Sequence, residues 1–583
     1  MAAAEFWTPE FHVEKRDDGT IVMEHIGHAE RLADTIPARL KYWAEVTPDA
    51  TYLAQRIAGG DWQRLSYGEV FDRVRALGAA FLEMGLSQQR PVLILSENSL
   101  DHALVALSAQ YVGVPSAAVS TAFSLVSETH DKLTGAAELL QPGLIFTSDG
   151  ARYAKAIDAV RKPDTEIAAT VPSGSMQDIA SLAGDPARAD AAFTKLSGDM
   201  VAKYLFTSGS TGSPKAVINT HDMIARNQDM VADCFRFLRA HPPVVVDWAP
   251  WSHTASGNKV FNMVLCNGGS YYIDEGKPTP NLIGETLRNL HEISPTWYFN
   301  VPAGYEMLLE EFRKDRALAE RFFGKLDLMM YAGAGMAQHI WDGLLAMARD
   351  VAGHDVLLTT ALGATETGPF ALMCTEQQES PGNIGVPARG ISLKLVPNED
   401  KLEARLKSPS ITAGYYKDVK TTAEHFDEEG FYMLGDALRP TDPDDLTKGF
   451  FFDGRIAENF KLATGTWVAV GALRTKLVDH FEGLIRDAVI VGENREELGA
   501  LLFPADGVTA ADLFRLQEKL DRFAAAATGS SNRVRRAVVL TKPPSLDKGE
   551  ATDKGSINQR AVLRERPAAV FQLYDGPHGV SFH

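Results

Sequence analysis

Apolar positions in the first 150 residues alternate between two periods. In 65–84, LSYGEVFDRVRALGAAFLEM, they recur at three- and four-residue spacing, which predicts an amphipathic helix stopped by Gly85. Arg90-Pro91 then leads into VLILS, a short unbroken apolar run of the type buried on both faces of a sheet. Residues 101–111 return to the helical period and end near Gly113, and Pro142-Gly143 precedes a second buried-strand run, LIFTS. This β–α–β rhythm predicts an α/β chain whose sheets are mostly parallel and covered by helices.

The rhythm changes late in the chain. GFYMLGD (430–436) and GFFFDGR (449–455) read as strands joined by the polar turn 440–448. Beyond Arg455 the units shrink to a smaller α+β pattern: AVIVG, GALLFPA, a helix over 510–526, then RAVVL. The expected organisation is therefore a large N-terminal domain over 1–454 and a small C-terminal domain over 455–583. Residues 541–566 are polar and contain glycine, which predicts a surface loop running into a helix.

Composition narrows the function. With 45% apolar and 23% charged residues the chain is ordinary globular material. Its 58 basic and 76 acidic side chains give a net charge of −18, which argues against a general nucleic-acid or membrane-surface binder. Cys234, Cys266 and Cys374 are odd in number and far apart, so neither a disulfide framework nor a thiolate metal site is expected. The opening MAAAEFWTPEFHVEKRDDG turns polar without an apolar core, and no run approaches the ~18 apolar residues of a membrane span. The expectation is a soluble, cytoplasmic protein that binds neither membrane nor nucleic acid; a homodimer is left open.

The most chemically loaded stretch is 204–221, YLFTSGSTGSPKAVINTH. An apolar strand runs into Thr207, Ser208, Gly209, Ser210, Thr211, Gly212, Ser213, Pro214 and Lys215. Glycines let backbone N–H groups turn toward an anion, hydroxyls add donors, and Lys215 adds a mobile positive charge: together they suit a polyphosphate. The spacing does not fit the P-loop of GxxxxGK[ST]. The alternative is a Gly/Ser surface turn, which any three of these residues would favour but the whole string does not.

TSGSTGSPKAV resembles the signature loop of the adenylate-forming superfamily, which includes acyl-CoA synthetases, peptide-synthetase adenylation domains and luciferase. Ala216 stands where the family usually has a glycine directly after the lysine. Other landmarks follow in order. Gly333, Ala334 and Gly335 of YAGAG resemble the adenine-side loop. TTALGATETG (359–368) resembles the Gly-x-Thr-Glu motif, which implies that Thr365 contacts phosphate and Glu366 holds magnesium. Leu362 replaces the aromatic residue that often stacks on adenine there. Asp436 matches the carboxylate that accepts the ribose hydroxyls, and Arg455 the arginine beside it. Ala457 and Glu458 depart from the usual hinge sequence. In EATDKGSINQR (550–560) the resemblance puts the family's catalytic lysine at Lys554, with Lys548 as runner-up.

Within the superfamily, DWAPWSH (247–253), FNVPAGY (299–305), DGRIAENFKLATGTWV (453–468) and TDKGSINQR (552–560) look like feruloyl-CoA synthetases. The resemblance implies an ATP-dependent acid–CoA ligase with magnesium and coenzyme A, acting on a hydroxycinnamate such as ferulate. It implies that Lys554, Lys215 and a magnesium ion on Glu366 neutralise the meeting of a carboxylate with the α-phosphate. It also implies a mobile small domain that turns after adenylation to admit coenzyme A. His253 reads either as a gate between the two steps or as a packed core histidine. The acid pocket is expected from Trp251, Phe261, Val301, Pro302, Ala303, Gly333 and Leu362, small residues beside aromatics that suit a flat ring. Three alternatives stay open: a benzoate, phenylacetate or medium-chain acid; a binding protein that kept the fold without catalysis; and an adenylation module serving a carrier protein. Against the last, no carrier segment follows before His583.

Overall fold

The computed structural model describes residues 4–208, 214–552 and 555–583, Ser208 in its backbone alone. Gly209, Ser210, Thr211, Gly212 and Lys554 therefore lie outside the described residues, as does the Ser208 side chain.

The expected helices and strands form where the pattern puts them, with their ends set by local chemistry. The helix Tyr67–Glu83 begins at a capping box: Ser66 Oγ accepts from Glu69 N at 3.2 Å, and Glu69 Oε2 accepts from Ser66 N at 2.8 Å. It ends before Gly85, whose φ of +73° a side chain would resist. The strands Val92–Leu95 and Leu144–Asp149 pair in parallel at the centre of a seven-stranded sheet. One edge of that sheet is the antiparallel hairpin Val201–Ser208 and Pro214–Thr220, whose turn carries the phosphate-loop sequence.

Two further sheets have parallel centres. One joins Trp297–Asn300, Leu328–Tyr331 and Leu357–Leu362, and continues antiparallel through Leu372–Met373 and Val386–Pro387. The other joins Val244–Asp247, Ser270–Ile273 and Thr51–Arg56, with Trp62–Ser66 antiparallel at its edge. A fourth sheet is wholly antiparallel. It pairs Phe11–Lys15 and Ile21–His25 from the start of the chain with Ser392–Asn398, Lys401–Lys407, Tyr432–Pro440 and Phe450–Arg455. The sheets are thus mixed: the early β–α–β rhythm yields the parallel centres, while hairpins and long-range pairings add the antiparallel parts.

Arg455 closes the last strand of the fourth sheet, and Phe460 opens a small hairpin with Trp467–Val468. Beyond it Ile485–Val491, Leu498–Pro504, Val534–Val539 and Gly579–Phe582 form a separate four-stranded sheet. Leu516 and Leu520 of the helix Leu513–Ala526 cover one face of it, and Ala569 and Leu573 of Pro567–Asp575 cover the other. The final residues are its edge strand, paired in parallel with Val534–Val539. The small domain leans on the large one through its 545–550 loop. Asp547 Oδ1 accepts from Ser127 Oγ at 2.5 Å, Asp547 Oδ2 from Glu128 N at 3.1 Å, and Leu546 O from Lys132 Nζ at 2.8 Å. Among the described residues no helix is long and apolar enough to cross a membrane.

Candidate active site

Five separate stretches converge at the end of the phosphate-loop hairpin. Thr207 sits across from Lys215 in the hairpin, one on either side of the glycine-rich segment in sequence. The Pro214–Thr220 strand is gripped on its outer edge by residues 414–416. Ile218 N donates to Gly414 O at 3.1 Å, and Tyr416 N donates to Ala216 O at 2.9 Å. Gly414 is required there: at φ +133°, a Cβ would stand 2.3 Å from the Thr422 side chain. This grip places the Tyr415 ring 5.0 Å from Lys215 Nζ.

Tyr415 links the hairpin to the Thr365–Thr367 turn. Its hydroxyl donates to Glu366 Oε1 at 3.0 Å and lies 3.0 Å from the Tyr432 hydroxyl. Thr412 N donates to Glu366 O at 2.8 Å, fixing the backbone of the turn. Glu366 thus stands half-buried with one carboxylate oxygen bonded to a phenol. Among the described residues no three His, Cys, Asp or Glu side chains cluster as a metal cage. A single oriented carboxylate fits magnesium, which takes water and ligand oxygens as its other ligands; it would not fit zinc or a transition metal.

Tyr432 begins the strand that carries Asp436. Asp436 pairs with Arg455 across the sheet, and Arg455 Nε comes within 3.0 Å of Asp436 Oδ1. That approach is not a directed hydrogen bond, so Oδ1 stays buried without a hydrogen-bond partner among the described residues. Asp436 is only 6% exposed. Burial pushes its pKa up to about 6; the Arg455 cation opposes this, and Glu458 and Glu366 add to it. An acceptor held buried and unbonded suits a hydroxyl pair on a ligand.

The adenine-side loop leaves the strand Leu328–Tyr331, and Gly333, Ala334 and Gly335 are exposed. Gly333 has φ +90°, and a Cβ there would stand 3.6 Å from Val301 Cγ1. Val301 caps the helix Pro302–Lys314; Pro302 is buried and Ala303 exposed. Leu362 ends the strand Leu357–Leu362, half-buried, and its carbonyl accepts from Ala371 N at 3.3 Å. Trp251 and Phe261 lie deeper. Their rings meet edge to face at 4.8 Å, and Trp251 Nε1 donates to Tyr271 Oη at 2.8 Å. They line a small cavity with His102, Gln110, Lys203 and Asn262. His253 is half-buried at the start of a π-helical turn over Ala255–Val260.

Reasoning from the sequence missed Tyr415 and Tyr432 as orienting groups, although Tyr432 stands inside the run GFYMLGD that it singled out. It also missed Lys203 and Lys259, two buried lysines beside the π-helical turn, because nothing local marks a lysine as buried.

Comparison with known proteins agrees with this geometry. A family model for AMP-binding enzymes matches residues 40–416, and a model for the AMP-binding enzyme C-terminal domain matches residues 460–577. A carboxylic acid reductase from Mycobacterium marinum is 26% identical, across 89% of this chain and 47% of its own length. The chain thus spans about half the length of that relative. A 4-hydroxybenzoate–CoA/benzoate–CoA ligase from Rhodopseudomonas palustris is 25% identical, across 76% of this chain and 79% of its own. The crystal structure of ATP-bound MatB from Rhodopseudomonas palustris superposes with a TM-score of 0.69 at 20% identity, covering 92% of this chain and 99% of that one. At that identity the likeness establishes the fold: a large N-terminal AMP-binding domain followed by a small C-terminal domain.

Proposed function

Since the chain belongs to the AMP-binding enzyme family, we propose that it is an ATP-dependent acid–CoA ligase acting on a hydroxycinnamate such as ferulate. A carboxylate oxygen of the acid attacks the α-phosphorus of ATP and pyrophosphate leaves. The sulfur of coenzyme A then attacks the acyl carbonyl and AMP leaves. The observation that carries this reading is the chain of contacts from Lys215 through Tyr415 to Glu366 and Tyr432, at the start of the strand whose Asp436 keeps a buried carboxylate oxygen that is ion-paired with Arg455 but has no hydrogen-bond partner among the described residues.

The roles follow from that chain. Lys215, Thr207, Ser208, Gly209, Ser210, Thr211, Gly212 and Thr365 bind the phosphates. Asp436 and Arg455 hold the ribose, and Gly333, Ala334 and Gly335 border the adenine. Glu366, kept in place by Tyr415, would hold magnesium, which when bound offsets phosphate charge. Lys554 supplies the cation to the developing pentavalent phosphorus. The latch of Asp547 on Ser127 and Glu128 supports a working arrangement in which the loop bearing Lys554 faces the large domain. The single chain crossing between Arg455 and Phe460 suits a hinge at the 454/455 boundary. Trp251, Phe261, Val301, Pro302, Ala303, Gly333 and Leu362 border the acid, with His253 between acid and thiol paths. The three free, buried thiols suit a reducing compartment such as the cytoplasm.

The carboxylic acid reductase relative favours a second reading, in which the same activation serves an acyl acceptor other than free coenzyme A. AMP release with ATP, magnesium and coenzyme A over ferulate, p-coumarate, caffeate, benzoate and octanoate tests both. Coenzyme A-dependent turnover of ferulate or its kin far above the rest is expected. Another acid winning would keep the reaction and overturn the substrate. Pyrophosphate release without coenzyme A-dependent turnover for any acid would favour the second reading.

A further inference from the structure

Lys259 sits where a lysine should not. Its side chain is 3% exposed on the π-helical turn Ala255–Val260. Its ammonium lies among the rings of Phe370, Phe235 and Trp297, at 4.8, 5.5 and 5.6 Å from the centroids. The one polar contact it makes among the described residues is Met330 Sδ, at 2.8 Å. An ammonium has three donors, and a thioether is a weak acceptor. Burying a cation without an anion is costly, and burial brings this pKa down to about 7, opposed only by the neighbouring Cys234 thiol, itself held protonated by burial. Trp297, fully buried in the same cluster, adds a second lone donor: its indole N–H has no acceptor among the described residues. Two sealed donors and no oxygen mark a missing acceptor.

The cluster's walls belong to the same chain segments as the proposed active site. Met330 lies three residues before Gly333 on the strand that delivers the adenine-side loop. Phe370 follows the Thr365–Thr367 turn of Glu366, and Ala371 next to it bonds Leu362. The rings offer flat apolar faces, and Met330 is a flexible wall.

Resting on the hydroxycinnamate reading above, we infer that Lys259, with the Trp297 N–H, receives the ring oxygens at the far end of the acid, which makes Lys259 the residue that selects 4-oxygenated aromatic acids. Lys203 is the contrast. It is also buried without a carboxylate among the described residues, but it already donates to Gly257 O at 3.1 Å and faces the cavity it shares with Trp251 and Phe261, which makes it the rival cation for the acid.

The test compares kcat/KM for ferulate and for cinnamate, which lacks ring oxygens, in wild type, Lys259→Met and Lys203→Met. Wild type should prefer ferulate. Losing a charged hydrogen bond should cut the ferulate-to-cinnamate ratio by roughly 10- to 150-fold in Lys259→Met, through KM. An unchanged ratio, or a ratio that falls with Lys203→Met and not with Lys259→Met, overturns the inference. A wild-type readout stands if the variant does not fold. A phenol beside an ammonium ionises at lower pH, so the near-ultraviolet phenolate band of bound ferulate should appear at lower pH than that of free ferulate. A phenol that titrates unchanged on binding overturns the inference too. If wild type turns over ferulate and cinnamate equally, only the role of Lys259 falls; if it turns over no hydroxycinnamate, the reading beneath it falls.

Discussion

The nucleotide face and the cluster around Lys259 treat unpaired polar groups in opposite ways. On the face, Glu366, Thr365 and Lys215 stand half-exposed at turns and strand ends, where water serves until a ligand arrives. Around Lys259 an ammonium and an indole N–H are sealed among rings and a thioether. An open group costs little when empty, whereas a sealed cation is a standing cost that needs a compensating acceptor. On the proposed reading, groups on the face act on ATP, which every substrate acid shares. Groups in the cluster can only read what differs between acids. Changes on the face should therefore scale all acids alike, and changes in the cluster should reorder them.

The largest test of that division is Lys554→Ala. It should lower acyl-adenylate formation by ~10²–10³ for every acid in the panel, while thioester formation from pre-made adenylate persists. Pyrophosphate release and coenzyme A consumption read the two halves separately. Equal loss in both would remove Lys554 from the first step, and a loss that varied with the acid would erase the division.

A smaller effect should come from the latch. Asp547, seven residues before Lys554 in the chain, accepts from Ser127 Oγ and Glu128 N. Asp547→Ala should slow adenylation by roughly 10- to 30-fold, the scale of a charged hydrogen bond, again for all acids and without slowing the thioester half. Asp547→Asn keeps an acceptor for Ser127 and should recover part of the rate. Rates that stay at the wild-type level in Asp547→Ala would make the latch a passive contact.

The same division marks what could be read from the sequence. The parallel centres of the sheets were legible because buried strands such as VLIL and LIFTSD are short apolar runs between helices. The antiparallel sheet was half legible. Tyr432–Pro440 and Phe450–Arg455 announce themselves as a hairpin, but the pairing of Ile21–His25 with Ser392–Asn398 joins segments some 370 positions apart and has no local sign. The edge strand at 579–582 is four residues of mixed character whose partner lies far upstream. The residues proposed for the nucleotide face could be singled out from the sequence because they stand in short motifs of glycine, hydroxyl and acid residues, and Glu366 and Tyr415 do meet in the structure. Lys203, between Ala202 and Tyr204, and Lys259, between Asn258 and Val260, were not legible: a lysine ordinarily reaches for the surface, and neither setting marks it as buried.

The subtlest test is pH, and it separates the two regions by sign. Burial raises the Asp436 pKa to about 6 from an ordinary 3.8. As pH rises from about 4 to about 6 the unfolded carboxyl ionises before the folded one, so this group favours the fold at the acid end and that contribution is lost across the window. Nucleotide binding runs the other way, because the ribose hydroxyls need the ionised acceptor. One unit below its pKa about nine-tenths of the carboxyl is protonated, so KM for ATP should rise by up to about tenfold at pH 5. The rise should be the same with ferulate and with cinnamate, and Asp436→Asn should flatten it while raising KM at neutral pH. Lys259, brought down to about 7, loses its charge as pH rises, so any weakening it causes belongs to the alkaline side and to ferulate alone. An acid limb in KM for ATP that differed between the two acids would tie the nucleotide face to the aromatic cluster, and the comparison between them would fail.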